Sequence, residues 1–287
     1  MNFWQKPVET FHELLRRKAP HVRQIRHFYA TNLEREVTFD IYLPPEYHTS
    51  RDARYPLLLL NDGQDLPRMD FSRILEKLYY KKRIPSLIAV GIYASGDRMR
   101  EYGTVRQVDY KGRGDKAVHY RNFILEELLP FLHRRFRLSG LREETAFAGF
   151  SLGGLSALDI AWAHPQIFGA AGVFSGSLWW RWSPVDPADP DADRIMHDII
   201  RQSAQVDDNQ RFWFQCGTLD ETDDRNGNGV IDSIDDTLDL IGALKEKGFR
   251  DEAIRYLEVE GGEHEPHTWG RVMPDFLRWT FAPETGD

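Results

Sequence analysis

Residues 145–164 read TAFAGFSLGGLSALDIAWAH. The first six are small or apolar and short enough for one buried strand, and residues from Gly153 onward carry apolar side chains at helical spacing. Between them lies Gly149-Phe150-Ser151-Leu152-Gly153. A strand that turns this abruptly into a helix forces the central residue into strained backbone geometry and needs small flanking residues where backbones meet. Such a turn leaves the Ser151 hydroxyl exposed at a helix N-terminus, where free N–H groups and the helix dipole favour developing negative charge.

The same alternation extends in both directions. YPLLLLN (55–61), SLIAVGIY (86–93), GAAGVFS (169–175) and RFWFQCG (211–217) are nearly all apolar, as strands covered on both faces must be. REVTFDIYL (35–43) alternates instead and suits a half-buried antiparallel strand, while IRYLEVEGGEH (254–264) reads as the last strand. Segments 71–82, 115–136, 153–165, 234–248 and 269–281 have helical periodicity. Strand alternating with helix predicts an α/β fold: a doubly wound, mostly parallel central sheet with helices on both faces. One domain over residues 1–287 is expected, with about the first 30 residues as an extension packing on it.

The composition, 41% hydrophobic and 13% aromatic with a net charge of -8, is that of a globular protein and argues against a nucleic-acid surface. The basic clusters LLRRKAP and HRRFR fall in helix-like segments and read as solvated faces. A single cysteine, Cys216, excludes an intramolecular disulfide. No apolar leader or membrane-length apolar run is visible, so a cytoplasmic protein without a membrane partner is expected. Nothing in the sequence specifies an oligomeric state.

Open α/β sheets carry their sites beyond the carboxyl ends of the strands. A serine there needs a base and an orienting acid. GGEHEPHTW (261–269) offers His264 next to the strand end, with His267 as the fallback. RFWFQCGTLD ends in Asp220, which would accept the imidazole N–H and stabilise the imidazolium. An oxyanion needs two preorganised donors: the Leu152 N–H, and the Gln64 N–H from the turn NDGQD after an earlier strand.

With these pieces in order, the chain resembles the α/β hydrolases of the esterase D and enterochelin esterase group. The resemblance runs from about TFDIYLPPEY (38–47) to FLRWTF (276–281) and rests on YLPPEY, YPLLLLNDGQDL, GDRMREYG, FAGFSLGGLSAL, FSGSLWW, GTLDE and GGEHEPHTW. It implies a triad of Ser151, Asp220 and His264, with Gln64 in the oxyanion hole, and a small-molecule ester as substrate. Siderophore, formylglutathione, feruloyl, acetyl-sugar and simple short-chain esters all occur in that group. The separate N-terminal module of the larger enterochelin esterases is not evident, which points away from a siderophore. Related mycolyltransferases make acyl transfer to an alcohol the alternative reaction. A catalytically idle calcium-dependent binding domain is the competing class.

Trp179 and Trp180 in SLWWRW are candidates for an aromatic wall around the acyl or phenolic group, with core packing as the other use. Arg98 either lines the pocket or pairs with Glu101 three residues on. The proline- and acid-rich SPVDPADPDADR (183–194) is expected to be a mobile loop screening the site. No cofactor is expected for catalysis. However, DRNGNGVIDSID (224–235) fits the calcium-loop pattern, with Asp224, Asn226, Asn228, the Val230 carbonyl, Asp232 and Asp235 as oxygen ligands and Gly229 at the turn. A structural calcium there would stiffen the loop leaving Asp220.

Overall fold

The computed structural model describes residues 19–204 and 209–282; the expected contribution of residues 1–18 lies outside them. Eight strands form one sheet: β1 (His21–Ala30), β2 (Arg35–Leu43), β3 (Leu57–Asn61), β4 (Ile88–Ile92), β5 (Thr145–Phe150), β6 (Ala170–Phe174), β7 (Arg211–Leu219) and β8 (Ile254–Glu263). Their order is β1-β2-β4-β3-β5-β6-β7-β8. β1–β2 and β2–β4 pair antiparallel, and all other pairs are parallel. Every residue of β3, β4, β5 and β6 is buried, which explains their unbroken apolar sequences.

Successive side chains of a strand point to opposite faces, and the core divides accordingly. Leu57 and Leu59 join the side packed by helix Leu152–Ala163, helix Ile195–Gln202 and the stretch from Ala117 to Arg135. Leu58 and Leu60 join the side packed by helices Phe71–Tyr80 and Pro266–Phe281. The sheet is thus covered on both faces, as an all-apolar parallel strand requires.

Two elements differ from expectation. Residues 21–30, taken as part of an extension, form β1, an edge strand whose first four residues are all exposed. It carries an irregularity between Ile25 and Phe28, with His27 at φ 58°. Charge and bulges at an edge blunt further strand pairing, and they also erase the apolar signature of a strand. The single predicted helix 115–136 is a continuous run with a π-helical stretch, Phe123–Leu128, between Ala117–Asn122 and Leu129–Arg135.

The parallel register brings the ends of β3, β5, β7 and β8 to one edge, and backbones touch there. A Cβ on Gly63 would overlap Gly91, one on Gly149 would overlap the Gly153 carbonyl, and one on Gly217 would overlap the Gly262 carbonyl. These contacts draw the strand ends and their following loops close enough to share a site.

Candidate active site

Ser151 follows β5 with φ 56° and ψ -126°, a region that costs a non-glycine residue about 1–3 kcal/mol. The turn is held from outside: the Ser151 N–H donates to the Phe174 carbonyl at 2.8 Å, and its carbonyl accepts from Ser177 N–H at 3.2 Å. The first helical bonds run from Gly154 and Leu155 N–H to the Ser151 carbonyl. The Leu152 N–H therefore lies ahead of the helical ladder and is unspent within the helix. The Ser177 hydroxyl sits 3.4 Å from Ser151 Oγ.

A second turn has the same design. After β3, Asp62 adopts φ 57° and caps the 3-10 helix Gly63–Met69, whose first bond runs from Asp65 N–H to the Asp62 carbonyl. The Gln64 N–H again lies ahead of that bond. The Gln64 side chain is spent on scaffolding, its Oε1 accepting from Ala94 N–H at 3.0 Å. Asn61 ties the two turns together: its Nδ2 donates to the Gly153 carbonyl at 2.8 Å, and Tyr120 donates to its Oδ1 at 2.6 Å.

Arg98 corrects the sequence expectation. It does not pair with Glu101, which is taken by Arg35 through two bonds of 2.6 Å. Arg98 instead forks onto the buried Asp62 carboxylate, and its Nη2 reaches the Phe150 carbonyl at 3.3 Å. One cation therefore touches both turns.

Asp220 stands at the end of β7, where its Oδ2 accepts the Gly217 N–H at 2.9 Å. Its Oδ1 is buried and has no hydrogen-bond partner among the described residues. Burial raises the Asp220 pKa above the usual carboxylate value, opposed by the Gly217 N–H, the Ser175 hydroxyl and the charge of His264. His264 is an exposed residue whose pKa is lowered by partial desolvation of its ring, while Asp220 pulls it up and Arg98 pulls it down. That ring stands edge-on to Trp269, with centroids 5.4 Å apart. The charges of Asp220 and His264 act on each other, and His267 is an exposed side chain on the first turn of the last helix, between the buried Pro266 and Thr268. No hydrogen bond joins His264 to Ser151 or Asp220 among the described residues; such contacts commonly tighten only when substrate binds. Ser175, Ser177 and Asp62 were missed in the sequence, although FSGS and NDG already marked their segments.

The two tryptophans part company. Trp180 is fully buried, and a Cβ on Gly103 would stand 2.8 Å from its ring, so it is core and not a substrate wall. Trp179 is half-buried, with the Arg113 guanidinium 4.9 Å from its ring centroid. It lines a cavity of about 230 Å³ with Tyr110, Lys111, Arg181, Glu221 and Arg225. Residues 183–194 are tethered where a mobile loop was expected. Arg181 Nη1 donates to the Pro190 and Ala192 carbonyls at 3.0 and 3.3 Å, and Arg225 grips Asp191 at 2.5 Å.

The calcium-pattern residues split into two groups. Asp224 accepts N–H bonds from Asn228 and Gly229 at 3.1 and 2.9 Å, and the Asn226 and Asn228 amides converge on Asp235 Oδ2 at 3.1 and 2.7 Å. Asp232 faces elsewhere, accepting from the Arg225 N–H at 2.8 Å with the Arg225 guanidinium at 3.3 Å. Among the described residues no three His, Cys, Asp or Glu side chains gather as a metal group would require. A hard cation could still be clasped by Asp224, Asn226, Asn228 and Asp235 if the amides turned their oxygens inward; the Val230 N–H is held by Asn228 Oδ1 at 2.7 Å.

A strained serine between a parallel strand and a helix, in a mostly parallel sheet covered on both faces, defines an α/β hydrolase. The chain belongs to the esterase family described as "Putative esterase", whose profile matches residues 30–280. It is 23% identical over 251 residues to the "Uncharacterized protein YbbA" of Bacillus subtilis, covering 85% of this chain and 92% of that one. It is 24% identical over 263 residues to an "Endo-1,4-beta-xylanase/feruloyl esterase" of Xylanibacter ruminicola, covering 88% of this chain and 30% of that longer protein. Among solved structures, a ferulic acid esterase superposes with TM-score 0.70 at 18% identity, covering 92% of this chain and 98% of that one. The enterobactin esterase FES of Shigella flexneri superposes with TM-score 0.71 at 20% identity, covering 91% of this chain and 59% of that one. Among the described residues no helix is long and apolar enough to cross a membrane.

Proposed function

We propose that this protein hydrolyses small carboxylic esters through an acyl-enzyme on Ser151. The observation that carries the reading is the paired design of two turns. The strained Ser151 lies at one helix N-terminus, and the Leu152 and Gln64 N–H groups both stand ahead of their helical ladders. Ser151 Oγ attacks the ester carbonyl while His264 takes its proton, and the tetrahedral oxyanion is held by the two N–H groups. His264 then returns the proton to the leaving alkoxide. Water, activated by His264, releases the acid and regenerates Ser151. Asp220 orients His264 and stabilises its protonated form through the partnerless Oδ1. Arg98 serves the oxyanion turn through Asp62.

The half-buried Trp179 supports an ester with an aromatic or similarly flat group, although the largely charged cavity beside it is lined by none of Ser151, Gln64, Asp220 and His264. Two of the similar proteins are named as a ferulic acid esterase and an enterobactin esterase. The test is turnover of p-nitrophenyl and methyl-aryl esters by wild type and Ser151→Ala. Loss on the order of 10³-fold or more is expected for the variant; equal turnover would sink the nucleophile assignment. Adding glycerol or methanol and resolving the products separates hydrolysis from acyl transfer.

A further inference from the structure

Trp269 lies outside every role assigned above, yet it touches all three parts of the site. Its indole stacks on Phe150, the residue before Ser151, with centroids 5.0 Å apart and planes 22° apart. It also meets the His264 ring in a T-shaped contact, with centroids 5.4 Å apart and planes at 81°. Its Nε1–H donates to Ser175 Oγ at 2.9 Å in a buried contact, and the Ser175 hydroxyl is one of the groups that stabilise the Asp220 charge.

The chemistry of that chain is directional. An indole N–H can only donate, so Ser175 Oγ must accept, and its own hydrogen is left free for a neighbouring acceptor. No hydrogen bond joins Ser175 Oγ to Asp220 among the described residues, but the buried, partnerless Oδ1 of Asp220 is the acceptor assigned to that hydrogen. Ser175 cannot drift from this position, because its N–H is fixed to the Gln215 carbonyl at 2.7 Å and its backbone sits at φ 45°. Trp269 is equally fixed, 6% exposed, one residue after Thr268, whose hydroxyl accepts the Glu263 N–H at 3.0 Å beside His264.

We infer that Trp269 is a positioning residue, acting on His264 through its ring and on Asp220 through Ser175, so that base and acid are held in one register. This inference rests on the serine-hydrolase reading. Trp269→Phe keeps an aromatic ring against Phe150 and His264 but removes the donor, and Ser175→Ala removes the relay. With p-nitrophenyl acetate, each single variant is expected to lower kcat on the order of fivefold to tenfold with KM within about twofold. Ser175→Ala removes the donor to the carboxylate, and Trp269→Phe leaves that hydroxyl without the N–H that turns it toward Asp220, so in both the proton affinity of the Asp220–His264 pair rises and the acid limb of kcat/KM moves to higher pH.

The double variant is expected to be no worse than either single one, because both cut the same chain. Multiplying effects, or a wild-type kcat and pH profile in Trp269→Phe, would overturn the inference. Circular dichroism and melting of each variant identify a folding failure; if Trp269→Phe is unfolded, Ser175→Ala alone decides by its acid limb. Ser151→Ala runs alongside: if it retains turnover the serine-hydrolase reading fails, and if it is inactive while Trp269→Phe is unchanged only the positioning role fails.

Discussion

Arg98 and Asp62, 36 residues apart, are joined by two parallel bonds, Nε to Oδ1 at 2.7 Å and Nη2 to Oδ2 at 2.8 Å. A planar fork fixes both position and orientation of a carboxylate, which a lysine ammonium cannot do. Asp62 opens the turn that carries Gln64, so in the proposed mechanism the pair sets where the second oxyanion donor points. Arg98→Lys should therefore keep the fold and lower kcat by roughly 10–100-fold, with a smaller change in KM. Steady-state kinetics with the melting temperature as control checks this, and an unchanged kcat would show that the fork does not aim the donor.

The two tryptophans should answer differently to truncation. Trp180→Ala empties a core site and should cost about 3–5 kcal/mol of stability, read by denaturant unfolding. Trp179→Ala should leave stability nearly unchanged and raise KM for aryl esters more than for acetate esters. The reverse pattern would reassign both residues.

The pH profile follows from burial at the site. In the proposed mechanism activity needs neutral His264, whose pKa is lowered by partial desolvation of an otherwise exposed residue, so the base persists below its ordinary protonation range. The acid limb of kcat/KM is expected below about pH 6.5, the usual histidine value. Asp220→Asn removes the carboxylate that pulls this pKa up, so the limb should move further down while kcat drops steeply. A limb at or above 6.5 in the wild type would contradict the burial argument.

Asp159, in the helix that begins at Leu152, is 5% exposed and its Oδ2 accepts the Val105 N–H at 2.9 Å. Burial pushes its pKa up to about 7. A carboxyl raised in the folded state favours folding while protonated, so its contribution is complete below the unfolded value and is lost as pH rises through about 7. The melting temperature should fall between pH 5 and 8, and Asp159→Asn should shrink that fall. An identical pH dependence in the variant would exclude Asp159 as its source.

The loop from Asp224 to Asp235 makes a calcium expectation testable without activity. Millimolar calcium should raise the melting temperature by roughly 5 °C over chelator in wild type but not in Asp224→Ala. Equal melting with calcium and chelator would leave the loop as a turn closed by its own amides.

Much of this architecture is legible in sequence because burial on both faces makes the central strands apolar without interruption, from Leu57 to Asn61 and from Thr145 to Phe150. The elbow is legible because glycines must stand where backbones meet. β1 was invisible because an exposed edge strand carries no apolar alternation. Arg98 was misread because local spacing offered Glu101, whereas tertiary folding supplied two better-placed partners, Asp62 for Arg98 and Arg35 for Glu101. Ser175 carries no motif of its own; its use arises only when the last helix brings Trp269 over β6.

The glycine contacts at the strand ends bear on how this site can diversify. Gly63, Gly149 and Gly217 each press on another stretch of main chain with no room for a methyl group. Side chains around the cavity are free to drift toward new esters, but these three joints leave no intermediate step, since the smallest replacement already collides with backbone. Their replacement is expected to abolish activity by displacing main chain, so a loss-of-function screen would score joints of the frame as if they were reagents.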